Sequence, residues 1–412
     1  MEAEGKGRGA KGKGGSWDWK DRWALAISAL PGVVALIALV YQTQVTRDQL
    51  GQTQHQLQIT EQGQITDRYN AAVTNLGSGS LDIRLGGIYA LQRVMHDSRR
   101  DQATVIAVLC AFARNQTASD RKPRRSRSAS PSADVQAALT VVGTRKTSHD
   151  GPTTVIDLHR ARLGGAQLGG LRLAGADLAG TGLAGANLLG THLGGANLAG
   201  ANLAGASLVS THLRDAGLAG ADLTAAHLSD TNLIRADLSH VNLSGAVLAD
   251  AKLADASFFG ANLSGAVLAG EQMPGLSFAT AILSGADLSG TSLAHGYLIA
   301  ADFAGARLVN ANLRGADLTD ANLAAADLRK AALDGGNLRY ANLKGADLFG
   351  AKLHGADLTG ADLTGANLYA TRTRGANFAG AKLTGAFWPP RVTPPPGWTR
   401  KHHSDRLQRA RL

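Results

Sequence analysis

From residue 158 to residue 383 an apolar residue recurs at every fifth position, set among small and polar neighbours. The stretch "ANLRGADLTDANLAAADLRK" (311–330) shows the rule: Leu313, Leu318, Leu323 and Leu328, with Ala two residues before each and Asn or Asp one before. Of the 46 centres in this register, 40 are Leu, and the others are Phe258, Met273, Phe278, Phe303, Thr373 and Phe378. A period of five suits neither regular element. On an α-helix five residues advance about 140°, which smears the leucines around the cylinder. In a flat strand an odd period sends successive leucines to opposite faces. All can face one interior only if the chain turns a corner in every repeat, which winds it into a solenoid with Leu inside and Asp or Asn outside.

A longer period sets the coil. Thr replaces Ala two before the centre at 181, 191, 211, 231, 291 and 371, and all but Thr181 are separated by multiples of 20. Phe258 and Phe278 are 20 apart, as are His192 and His212. Stacked residues share chemistry, so the coil is predicted to be 20 residues with four sides, giving about 11.5 coils and a rod about 55 Å long at the interstrand spacing. The A-[DN]-L-x-x pattern over 153–388 resembles the pentapeptide-repeat family. That resemblance implies a mainly β fold, a right-handed quadrilateral β-helix, and leaves function open because the family spans many roles.

The flanks read differently. Residues 1–22 are Gly- and Lys-rich and predict a disordered basic tail. "WALAISALPGVVALIALVY" (23–41) carries no charge and predicts one transmembrane helix, with Trp17, Trp19, Trp23 and Tyr41 at the interfaces. The cations before it place the N-terminus in the cytoplasm as a single-pass membrane protein, with the side of the solenoid open: the free Cys110 suits a reducing compartment instead. Residues 42–66 read as a polar stalk, with Leu50 and Leu57 seven apart as a seam for self-association into a homo-oligomer or as part of a plain spacer. Residues 67–114 predict a small helical module; "EQGQITDRYNAAVTNLGSGSLDIRLGGIYALQRV" is similar to the segment between membrane span and repeats in actinobacterial pentapeptide-repeat proteins. A basic linker follows at 115–131, with Ser126, Ser128 and Ser130 as phosphorylation candidates and a clustered set of cations as an anionic-lipid or nucleic-acid candidate. The helix at 132–145 is expected to cap the open N-terminal coil, and a Pro-rich, basic tail (389–412) follows the last turn at Phe387 and Trp388.

Charge changes this picture little at first sight. The chain is +10, yet residues 153–388 hold 16 Lys/Arg against 18 Asp/Glu, so the solenoid is nearly neutral and the flanks are basic. Cys110 sits in an apolar helical run and reads as a buried small residue. No Walker loop, H-E-x-x-H or C-x-x-C is present, so no catalytic, cofactor-binding or metal residue is assigned and no cofactor is expected. His192 and His212 stack, but the next residues in their column, Asn232 and Lys252, are poor ligands. Two breaks interrupt the repeat. One puts Glu271 at an inward position, where a local bulge is expected. The other puts Thr373 at a centre, between Arg372 and Arg374. These features predict a membrane-anchored, non-catalytic scaffold for an unknown protein partner, with nucleic acid disfavoured. The alternative is a regulator of a type II topoisomerase that mimics DNA, as the resemblance implies for some members; that role needs a strongly acidic rod.

Overall fold

The computed structural model describes residues 19–119 and 130–410, and within them the side chains of all but 20–26, 28, 29 and 119. Much of the expected basic tail (1–22) and linker (115–131) lies outside these residues. The chain divides into two compact units, 1–67 and 68–412.

In the first unit the described residues form part of one α-helix, α1 (Trp19–Leu76), whose last turns, 68–76, belong to the second unit. The expected membrane span, stalk and first helix of the module are therefore one element. The Gln/Thr-rich stretch stays helical because its glycines, Gly51 and Gly63, are isolated and its hydroxyls do not compete with the helix. Thr46, Thr53, Thr60 and Thr66 each donate to the carbonyl four residues back. The expected transmembrane helix over 23–41 is not found: no helix among the described residues is long and apolar enough to cross a membrane. Part of that span lies outside the described side chains. The described apolar stretch, 30–41, gives only about 18 Å of helix against the ~30 Å of a hydrocarbon layer. Leu50 and Leu57, the expected seam, are exposed.

The second unit begins with a helical cluster: α2 (Leu81–Asp97), α3 (Gln102–Ser119) and α4 (Ala133–Gly143). Ile88 and Leu91 of α2, Ile106 and Leu109 of α3, and Leu139 of α4 are buried together with Cys110. Burial pushes the Cys110 thiol up to about 12, so it carries no thiolate at neutral pH. α4 and α3 lie on the first coil and satisfy edge groups that would otherwise be orphaned. The Gly143 carbonyl accepts from the Arg172 N–H at 2.9 Å, Gln136 Oε1 accepts from the Gln167 N–H at 2.9 Å, and Thr117 Oγ1 accepts from the Arg162 N–H at 3.2 Å.

From Asp157 to Phe387 the chain winds in coils of 20 residues: up to the last coil, each residue one before a centre except Lys252 pairs in parallel with the residue 20 further on. The mainly β expectation needs correction in one respect. The solenoid has no extended strands. Each side is a single β-bridge between corners, because three residues of straight chain are all that a five-residue side leaves. The only strands among the described residues are β1 (Trp398–Arg400) and β2 (Leu407–Arg409), an antiparallel pair after the last coil. The corner residue, two after each centre, is left-handed, as at Gly315 (φ 62°) and Ala325 (φ 55°).

The interior is filled by the centres. Every centre except Thr373 is buried, and so is every residue two before a centre except Ala376. Thr belongs in that second position because its hydroxyl finds an acceptor. Thr181, Thr191, Thr211, Thr231 and Thr291 each donate to a centre carbonyl 23 residues earlier, at 2.8–3.0 Å.

Candidate interaction faces

The 20-residue coil sorts the solenoid's charges by side. The first side has its centres at 158, 178 and onward in steps of 20; the second starts at 163, the third at 168 and the fourth at 173. The first side carries six Asp against two Arg, the third five acids against three cations, and the second three of each. The fourth reverses the sign, with eight Lys/Arg against four Asp/Glu, and adds His192, His212, His295 and His354. The near-zero net charge thus hides a basic side facing the balanced one, flanked by two acidic sides. An excess of one sign along one side makes a directional field that a net count cannot reveal.

Not all the fourth side's cations are free. Arg235 clamps Asp215 through two bonds at 2.6 and 2.7 Å, and these hold the Asp215 carboxyl below its ordinary range. His354 Nδ1 lies 2.8 Å from Asp334. Lys252, Arg314, Lys352, Arg372 and Arg374 form no ion pair with a described residue. His192 and His212 stack at 4.7 Å with rings 13° from parallel, and no third metal-ligand side chain among the described residues is grouped with them.

One cluster escaped sequence reasoning because its members come from adjacent coils. Asp157, His159 and Asp177 bring their ligand atoms within 4.8 Å of one another. A cation already sits there: Arg114 Nη1 of α3 lies 2.7 Å from Asp157 and 2.9 Å from His159 Nδ1. Burial raises the Asp157 carboxyl, but the His159 and Arg114 contacts outweigh it and hold it below the ordinary range. The arrangement fastens α3 to the first coil.

Glu271 is inward and 5% exposed. The expected bulge is absent: Gln272 still pairs with Ser292, so the 20-residue register survives. Instead the carboxylate enters the ladder, where Oε1 accepts the Asp250 N–H at 2.6 Å in place of a backbone carbonyl. The Lys252–Gln272 bridge is missing from an otherwise continuous column. Burial raises the Glu271 carboxyl above its ordinary range. Its folded value therefore exceeds its unfolded one, so the native state binds the extra proton, and the stability linked to it is present at low pH and lost as pH rises through the folded value. Glu271→Ala, which restores the repeat, is expected to gain about 1–2 kcal/mol at neutral pH and to remove that fall. Chemical denaturation across the carboxylate range checks both; a variant less stable than the parent at pH 7 would contradict the account.

Eight matches to the family described as Pentapeptide repeats run from residue 156 to residue 387. Among solved structures, HetL, a pentapeptide-repeat protein involved in heterocyst differentiation regulation in the cyanobacterium Nostoc, is 34% identical over 57% of this chain and 90% of its own, with a TM-score of 0.29. A pentapeptide-repeat protein of the Arabidopsis thaliana thylakoid lumen is 37% identical over 26% and 66%, with a TM-score of 0.15. QnrB1, a plasmid-mediated fluoroquinolone resistance protein, is 18% identical over 52% and 89%, with a TM-score of 0.22. A comparison with curated proteins finds no match. With more than half its length matched, and with a 20-residue, four-sided coil that the repeat itself dictates, the chain belongs to the pentapeptide-repeat family.

Proposed function

We propose that the chain is a non-catalytic protein-interaction scaffold tethered to a membrane. The observation that carries the reading is the separation of charge by side, with the fourth side basic between two acidic ones. Unpaired cations held on one rigid side, with Lys352 stacked below Arg372, suit a protein partner with an acidic surface, and electrostatic steering speeds its encounter. The tether is residues 23–41. Its support is the exposure of Leu30, Val33, Val34, Leu36, Ile37, Leu39 and Val40, more apolar surface than water tolerates on one helix.

The test places a photocrosslinking residue at Lys252 on the fourth side and at Asn322 on the second, in the full-length chain in its native cells. A discrete protein adduct from Lys252 alone is expected; equal adducts from both positions, or none, would overturn the reading. Replacing Leu36 and Ile37 by Arg is expected to release the chain from alkaline-washed membranes, and an unchanged distribution would remove the tether. Against the DNA mimic stands the fourth side itself, since a duplex is negative all round. The full-length chain is expected not to inhibit a gyrase-type enzyme.

A further inference from the structure

The solenoid is finished on two sides and left open on the other two. After Trp388 the chain reverses, and β2 seals part of the last coil: Gly385 N–H donates to the Leu407 carbonyl and Leu407 N–H to the Ala386 carbonyl, both at 2.8 Å. Nothing equivalent happens at 371–380. In the preceding coil, Leu353, Gly355, Leu358 and Gly360 donate to the carbonyls of Arg372, Arg374, Asn377 and Ala379. The corresponding N–H groups of Thr373, Gly375, Phe378 and Gly380 point the same way and meet no acceptor among the described residues.

What lies beyond them is a cavity of about 670 Å³ under the loop 392–398. Phe378, Trp388, Trp398 and Pro394–Pro396 line it. The loop is fastened, not loose: Trp388 Nε1 and Arg400 Nη2 both donate to the Val392 carbonyl, at 3.0 and 3.1 Å. Thr373 also lines the cavity, and as the one centre that is not buried it leaves the volume a leucine would fill. Arg409 lies at the wall with its guanidinium over the Trp398 ring, 5.9 Å from the centroid, and has no acid partner among the described residues.

We propose that this cavity binds a small aromatic carboxylate, its ring held among Phe378, Trp388 and Trp398 and its anionic group received by Arg409 and one of the unpaired N–H groups of Thr373, Phe378 and Gly380. The volume is that of a small-molecule site. A backbone N–H without an acceptor and a guanidinium without an acid each select an anion, and a carboxylate takes two donors at once. The aromatic and proline walls select a flat ring over an aliphatic chain. The second repeat break thus exchanges interior packing for a ligand site, independently of the scaffold reading.

The probe is 1-naphthoate, with the uncharged 1-naphthylmethanol beside it, titrated calorimetrically into the full-length chain in detergent. Naphthoate is expected to bind below 1 mM, a range typical of small ligands. Arg409→Met should weaken naphthoate at least tenfold and leave naphthylmethanol unchanged. Thr373→Leu, which restores the repeat, should weaken both while the melting temperature does not fall. Absence of naphthoate binding to the parent, or binding that neither substitution weakens (as expected of the exposed apolar helix), would overturn the proposal.

Discussion

Lysine at position 313 is expected to open the solenoid. Leu313 is completely buried, and so are Leu293 and Leu333 above and below it. Removing the leucine forfeits about 1.5–3 kcal/mol of burial, and an ammonium in its place adds several kcal/mol of desolvation with no acid in reach. The sum exceeds what a single mutation ordinarily does. Because each coil touches only its neighbours, the failure is local: the ladder parts around 313 and leaves two shorter stacks. The measurement is limited proteolysis with thermal unfolding. Leu313→Lys should be cut near 313 under conditions where the parent resists, whereas Leu313→Met should lose less than about 1.5 kcal/mol. A lysine variant as resistant as the parent would mean that the centres do not face the interior.

Asp134→Ala should produce the second large effect, at the other structural seam. Asp134 opens α4 and is 1% exposed. Its Oδ2 accepts from Arg84 Nε of α2 at 2.6 Å, and its Oδ1 accepts the Val135 N–H at 3.0 Å. Burial pushes the carboxyl up, but bonds from Ser132 and Arg84 outweigh it and hold it below the usual carboxylate range. Losing the carboxylate leaves a mostly buried guanidinium with only the Ser78 and Gly79 carbonyls and no counter-charge, at a cost of about 3 kcal/mol. The sign in pH is opposite to that of Glu271. A folded value below the unfolded one contributes stability that is present above the unfolded range and lost as pH falls through the folded value. Acid titration of helical signal should therefore show a limb in the parent that Asp134→Asn lacks. Hydrogen exchange should show α4 opening first in the alanine variant, and Arg84→Met added to it should recover much of the loss. If Asp134→Ala leaves α4 protected, the pair does not hold the cap.

The legibility of the molecule divides along the reach of its interactions. The interior was readable because its rule is local: a leucine every five residues and a threonine at steps of 20 dictate a four-sided coil with no long-range information. The basic fourth side was equally present in the sequence but invisible to a net count, since it emerges only when charges are sorted by position within the coil. The helical flank was harder to read. Its expected span, stalk and the first helix of the module form one element, α1, because Thr residues that favour spacers can bond back to the helix when nothing else claims them.

By itself, then, the sequence determined the coil, its length, what fills it and where the repeat breaks, because each depends on residues five or twenty apart in a periodic chain. The tertiary structure decided what the breaks become. Glu271 keeps the register by taking a backbone carbonyl's place in the ladder, an outcome that depends on how far neighbouring coils can part. At Thr373 the centre is left unburied, and after Trp388 the chain reverses instead of laying another coil on 371–380, so the N–H groups of Thr373, Phe378 and Gly380 meet no acceptor among the described residues beside the cavity that Arg409 and two tryptophans line. Whether a missing leucine is filled by collapse or held open by a fastened loop is a balance of packing against hydrogen bonds made 20 residues away, and no periodic pattern encodes it.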